Sequence, residues 1–228
     1  MIISELMWNS WQRNWEKILQ IAQNRHWDYN ELMLSSQASE VEVNSVEDQI
    51  GFQLPEDFRS VLTSYAAEVS FSYVSLEEAP TDKYKHVWSG GADFIWSLDN
   101  ILKLFEQVRY RCKSGKVPDY WLEMIPFQDL LYGQYLAFDT RSTAKDTPVV
   151  YLDNNDLRHY PSGPNLDGKV VAKSFTEFIS NWSELGCPGN LDSFYINSRD
   201  EFSLQRESHR EWLKWIGITG NELSGKKS

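Results

Sequence analysis

The 228-residue chain has little of what most chemistry needs. It holds two cysteines, Cys112 and Cys187, far apart and without a CxxC. That spacing speaks against a disulfide framework and fits reduced thiols in a cytoplasm. Of the four histidines, His26, His86, His159 and His209, no two have metal-ligand spacing with each other or with a cysteine. No GxSxG nucleophile elbow is present. No apolar run approaches membrane-spanning length. The opening MIISELMWNSWQRNW lacks a basic stretch followed by an apolar run, so no signal peptide is expected. Positive charge is the scarcer sign: 22 Lys and Arg stand against 33 Asp and Glu, a net charge of −11. An acidic surface repels phosphate backbones and anionic lipid, which argues against nucleic acid and membrane as partners. It attracts a basic partner, although solubility alone would account for the same acidity. Internal repeats and low-complexity segments are absent.

Aromatic side chains, by contrast, are plentiful. They make up 14% of the residues and include ten Trp, which argues for a packed core and against disorder. Trp8, Trp11, Trp15, Ile18, Leu19 and Ala22 fall on one helical face behind Ser4, a candidate N-cap. The polar residues around 35–40 suggest a connection. Ser39 and Glu42 have capping-box spacing, with Val43, Val46 and Ile50 following at helical intervals. Gly51 suits the left-handed end of that helix. Pro55 suits the first turn of the next, and Glu56 and Asp57 favour its positive end. Phe58, Val61, Leu62 and Tyr65 form a buried stripe, so Leu54-Pro55 reads as a joint between two helices.

Further along, Phe71–Val74 and Phe94–Trp96 read as strands around a polar, acidic segment from Ser75 to Asp93 that reads as a loop or irregular hairpin. Leu98 to Val108 reads as a helix capped by Ser97, and its tail carries the basic cluster Arg109, Arg111, Lys113 and Lys116. Cations are expected at a helix C-terminus, so this cluster needs no nucleic acid. Met124–Phe127, Tyr135–Asp139, Val149–Asp153 and Val170–Ala172 read as antiparallel strands joined by short turns. Ser174 and Glu177 give a second capping box, before a helix stopped by Gly186-Cys187-Pro188-Gly189. A last helix is expected from about Ser198, with Phe202, His209, Trp212, Leu213 and Ile216 facing inward.

Several stretches imitate chemistry. Gly163 to Lys169 has the spacing of a phosphate loop, but Val170 stands where Ser or Thr should hold magnesium, and a strand follows instead of a helix. Asp153 and Asp156 resemble the start of a calcium loop without its Gly and terminal Glu, so they read as turn residues. Cys112 follows cations that could lower its pKa, yet a lone cysteine late in a helix reads as packing. No cofactor or metal is expected, and nothing in the residues argues for an enzyme.

Four motifs in order resemble the SUKH superfamily, the Smi/Knr-type domain. IGFQLPEDFRSVL is similar to its helix–Gly–x–x–Leu-Pro–x–Asp–aromatic signature. IPFQDLLYGQYLAFDT resembles its strand pair, TPVVYLDNND its Pro-Val-Val-Tyr strand and acidic turn, and SFTEFISNW its closing helix. Ala66-Ala67-Glu68 departs from the Gly-rich turn that often follows the Leu-Pro helix in this family.

The resemblance implies an α+β fold, a central and mostly antiparallel sheet with helices around it. It implies structural roles for Leu54, Pro55, Phe58, Gly133, Asp139, Phe175 and Phe178, and no catalytic residues. The chain is expected to form a single domain over 1–228, with a SUKH-like core of about 40–186 and helical extensions over 1–36 and 190–217. Bacterial members imply a toxin immunity protein, and eukaryotic members a regulatory scaffold. A small hydrolase built from carboxylates the fold gathers is the reading from another class. A basic toxin domain is the expected partner, met by Glu77, Glu78, Asp82, Asp153 and Asp156.

Overall fold

The computed structural model describes residues 3–75, 91–130, 133–154, 167–189 and 207–218. In chain order these form α1 (Glu5–Asn24), β1 (Asp28–Leu34), α2 (Glu40–Ile50), α3 (Glu56–Ser64), β2 (Val69–Val74), β3 (Gly91–Trp96) and α4 (Leu98–Lys113). A 3-10 turn (Asp119–Glu123) follows, then β4 (Met124–Asp129), β5 (Gln134–Asp139), β6 (Val149–Asp153), β7 (Lys169–Ala172), α5 (Phe175–Glu184) and α6 (Glu207–Ile216). The class is α+β. The strands form two sheets, one of order β1-β2-β3 and one of order β4-β5-β6-β7. β1 and the 3-10 turn were not anticipated from the sequence, and Glu207 is the first described residue of the last helix.

The chain divides into two compact units. The first comprises Met1–Ile3, Met33–Ser70 and Phe94–Phe178. Its centre is the four-stranded sheet, an antiparallel meander with a bulge in β4 between Pro126 and Gln128. Alternate residues of a strand face opposite sides. Tyr135 and Ala137 of β5, with Val150 and Leu152 of β6, join Met124 and Trp121 against Leu104, Val108 and Cys112 of α4. The opposite face presents Phe127 and Phe138, whose rings stack 4.5 Å apart. Phe58 of α3 lies 5.2 Å from Phe138 and 4.7 Å from Phe175 of α5. Both faces are covered, so these strands read as continuous apolar runs.

Capping fixes the helices of this unit. Ser39 and Glu42 form the expected capping box, and Gly51 takes φ +79° where α2 ends. Pro55 stands one position earlier than expected, as the N-cap of α3. Its missing N–H still costs nothing there. Ser97 accepts from the Asn100 N–H at the start of α4.

The second unit comprises Ser4–Leu32, Phe71–Asp93 and Ile179–Ser228. Trp8, Trp11 and Trp15 of α1 pack edge to face. Trp15 meets Phe71, and Phe71 meets Trp182. Trp27 stacks between Tyr73 and Trp215. The Arg25 guanidinium lies over both indoles, 5.4 Å from Trp27 and 4.9 Å from Trp215. Trp212, Leu213 and Ile216 of α6 are buried, as expected. Gly186 (φ +75°) leaves room for Ile216, whose Cδ1 lies 2.5 Å from where a Cβ would stand.

Candidate partner-binding surface

The motif residues build one scaffold inside the first unit. Leu54, Pro55, Phe58, Phe175 and Phe178 are buried. The joint between α2 and α3 is held by charge as well as by packing. Glu47 is buried, and its carboxylate accepts from the Leu54 N–H at 2.9 Å. Arg59 reaches back from α3 to Glu47, Glu40 and Asn44. A buried carboxylate needs such partners, because an unpaired charge in a low dielectric is strongly disfavoured.

Asp57 does more than meet a helix dipole. It is 6% exposed, and its Oδ2 accepts from the Thr176 N–H at 2.8 Å and the Thr176 hydroxyl at 3.0 Å. Its Oδ1 accepts from the Phe58 N–H at 2.9 Å. One carboxylate therefore ties the first turn of α3 to the first turn of α5. The partner lies far along the chain, which is why sequence alone suggested only the dipole.

Gly133 is required by its backbone, and a side chain there would also push Arg111 aside. Its φ is +84°, and a Cβ would stand 2.5 Å from Nη1 of Arg111. That guanidinium lies 5.8 Å from the Tyr135 ring. With its amide turned to satisfy both ends, Asn154 bridges it to the turn after α4, its nitrogen donating to the Lys116 carbonyl and its oxygen accepting from Arg111, each at 3.0 Å. The basic tail of α4 is thus divided: Arg111 turns inward, Arg109 meets Glu106, and Lys113 and Lys116 stay exposed.

Asp139 accepts two hydrogen bonds from the Arg141 guanidinium, each 2.9 Å, which hold its carboxyl below the usual range. Asp167, in the stretch that imitates a phosphate loop, gathers donors instead of repelling phosphate. It accepts from the Tyr120 hydroxyl, the Trp121 indole at 3.1 Å and the Asp153 N–H at 3.0 Å. Burial, then the bond to Asp167, pushes the Tyr120 hydroxyl well above its ordinary pKa. The following residues form β7, a strand as expected, so no helix N-terminus faces this turn.

Of the acids expected to meet a partner, Glu77, Glu78, Asp82 and Asp156 lie outside the described residues. Asp153 closes β6 and is 9% exposed, and Gln134 donates to its carboxylate at 3.4 Å. Other described acids are open to solvent. α2 carries exposed Glu40, Glu42 and Asp48 beside Val41, which is 77% exposed, and β1 carries exposed Asp28 and Glu31. The signal was present in the sequence: EVEVNSVEDQI holds four acids and no base.

Both thiols are buried. Burial raises both, Cys187 strongly, and Cys112 points to the Pro118 carbonyl at 3.6 Å. Among the described residues no group of three or more His, Cys, Asp or Glu could hold a metal ion. Among the same residues no helix is long and apolar enough to cross a membrane.

Packing and ion-pair geometry thus account for the residues of these motifs, which sit within an α+β fold. Residues 37–181 match the model of the SMI1 / KNR4 family (SUKH-1), more than half of the chain, and the chain belongs to that family. A comparison with curated proteins gave no match.

Proposed function

We propose that this chain is a non-enzymatic binding protein of the cytoplasm, an immunity protein that neutralises a cognate toxin. Its partner is a basic toxin domain, such as a nuclease, which needs a cationic surface to hold nucleic acid. Membership of the SUKH-1 family carries this reading. The excess of 33 acidic over 22 basic residues supports the choice of partner. An acidic protein can cover a cationic surface without any chemistry, and the marker residues are occupied in holding the fold. Complementary charge mainly speeds association, and salt screens it beyond about 10 Å at 0.1 M.

Stopped-flow binding to the toxin encoded immediately upstream is the test. The association rate should fall as salt rises. Replacing Glu77 and Glu78 together by Lys should slow association more than it speeds dissociation. A salt-independent association rate, untouched by the double reversal, would remove Glu77 and Glu78 from the interface. An upstream gene that encodes no toxin would favour a regulatory scaffold of the same fold.

A further inference from the structure

The three-stranded sheet has two edges, β1 and β3, and they are finished differently. An edge strand presents backbone N–H and C=O groups that another extended chain can pair with, and proteins usually block it. β3 is blocked by side-chain amides. The Ile95 N–H donates to Oε1 of Gln128 at 3.0 Å, and the Ile95 carbonyl accepts from Nδ2 of Asn100 at 3.2 Å. Asn100 also donates to the Phe127 carbonyl on β4, at 3.3 Å. Gln128 is 2% exposed and the three bonds are part-buried, so a passing strand would have to displace them to pair at Ile95.

β1 has no such cover among the described residues. No described strand lies on its far side. Its exposure runs along both faces of the pleat: Asp28, Asn30, Glu31, Met33 and Leu34 are all exposed, Met33 by 63% and Leu34 by 38%. Asn30 is spoken for, because its amide donates to the Ser72 hydroxyl at 2.6 Å. The remaining four form a simple pattern. Asp28 and Leu34 point to one face and Glu31 and Met33 to the other, so each face offers one acid and, further on, one apolar side chain. Edge strands that avoid pairing carry charged side chains, Lys above all, or Pro or a bulge; Asp28–Leu34 holds no Lys and no Pro, and its two charges are both acids, which repel acidic strands and leave basic ones a favourable approach.

We propose that β1 is a docking edge that accepts an extended segment of a partner protein as an added strand. Backbone bonds supply the attachment, and side chains set the choice. The complementary segment carries cations opposite Asp28 and Glu31 and apolar residues opposite Met33 and Leu34. Opposite charges directly across a strand pair are favourable and like charges unfavourable, so acidic segments are refused. The site goes beyond the immunity reading and does not depend on the partner being a toxin.

The test uses the full chain and the peptide Val-Ile-Thr-Lys-Thr-Thr-Lys, capped at both ends, which places apolar residues and cations in antiparallel register along Asp28–Leu34. Hydrogen–deuterium exchange should show amides within 28–34 protected by at least threefold at millimolar peptide. The same peptide N-methylated at alternate amides keeps its charge and loses one row of donors, and should not protect. Replacing Asp28 and Glu31 by Lys should abolish protection while leaving the thermal melt within a few degrees of the parent. Equal protection by both peptides, or protection outside 28–34, would mean charge attraction alone and would overturn the docking edge. No protection at all would overturn it too. Protection of 28–34 that grows with protein concentration and needs no peptide would assign the edge to a second copy of the chain and remove the proposed partner. None of these outcomes involves the toxin, so the immunity reading stands or falls separately.

Discussion

The two units bury aromatic rings by different means. The first, which holds most of the family match, is centred on phenylalanines: Phe58, Phe127, Phe138, Phe175 and Phe178. Such rings ask only for shape. Its directional bonds centre on carboxylates: Asp57 and Glu47 near the α2–α3 joint, and Asp167 on the α4 side of the sheet, where it also serves the Trp121 indole. The second unit is centred on tryptophans, and each buried indole needs an acceptor. Trp11 donates to Ser180 at 3.0 Å, Trp15 to Ser183 at 2.8 Å, Trp182 to the Pro188 carbonyl at 3.0 Å and Trp212 to the Leu185 carbonyl at 2.7 Å. Here the ring and the directional bond belong to one side chain. The difference teaches where each unit tolerates change. The phenylalanine core should accept apolar exchange of similar volume, and the tryptophan core should not.

The largest expected effect tests the phenylalanine hub. Phe58→Ala should cost about 3–5 kcal/mol, read from urea melts, because the site is fully buried among four other aromatic rings. A melt like the parent's would mean that this hub is not the centre of the first unit. Next comes its charged brace. Asp57→Ala leaves buried donors of Phe58 and Thr176 without their acceptor and should cost about 3 kcal/mol. Thr176→Val on the Asp57→Ala background should then cost much less than on the parent, a coupling that a double-mutant cycle reads directly.

Smaller still is the serine that serves an indole. Ser183→Ala should cost about 1–2 kcal/mol, since it strands the buried Trp15 N–H, and Trp15→Phe on that background should recover part of the loss. If Ser183→Ala is neutral, the contrast between the units fails, because the indole bond then contributes nothing.

The smallest effects are two carboxyls with opposite signs. Arg141 holds Asp139 of the first unit below its ordinary value, so its stabilisation is fully present above the usual carboxylate range and is lost as pH falls through the lowered value. Burial raises Glu184 of the second unit, so its cost is absent below the ordinary value, grows as pH rises through it, and is complete above the raised value. At pH 7 Asp139→Asn should therefore destabilise and Glu184→Gln stabilise, and both effects should shrink toward pH 3. Melts over that range should show differences of opposite sign. Two differences of the same sign would mean that one of these environments is misjudged.

Much of this was legible before any coordinates. Caps are local, so Ser4, Ser39 with Glu42, Gly51, Ser97 and Ser174 marked helix ends correctly. β4 to β7 were legible because apolar residues cluster between turn residues. β1 was not, because Asp28–Leu34 is mostly exposed and shows no alternation. The division of the strands into two sheets rests on distant pairing, which no local pattern encodes. The same holds for the candidate surface. Charge counts pointed to acids, but only the fold shows that Asp153 is buried while Asp28 and Glu31 are exposed on the end strand of a sheet.

The bond from Asp57 to Thr176 also sets a timetable. The two residues are 119 positions apart. At ordinary rates of translation, α3 leaves the ribosome on the order of ten seconds before α5 exists. The meander of β4 to β7 can zip up as it emerges, because its strands are neighbours in sequence. The Phe58 stripe cannot be covered on both sides until the chain is more than three-quarters made. Arg59 gives the waiting pair something to do. Its bonds to Glu40, Asn44 and Glu47 reach no more than 19 residues back, so α2 and α3 can clasp each other on the nascent chain and keep that stripe in register for partners not yet synthesised.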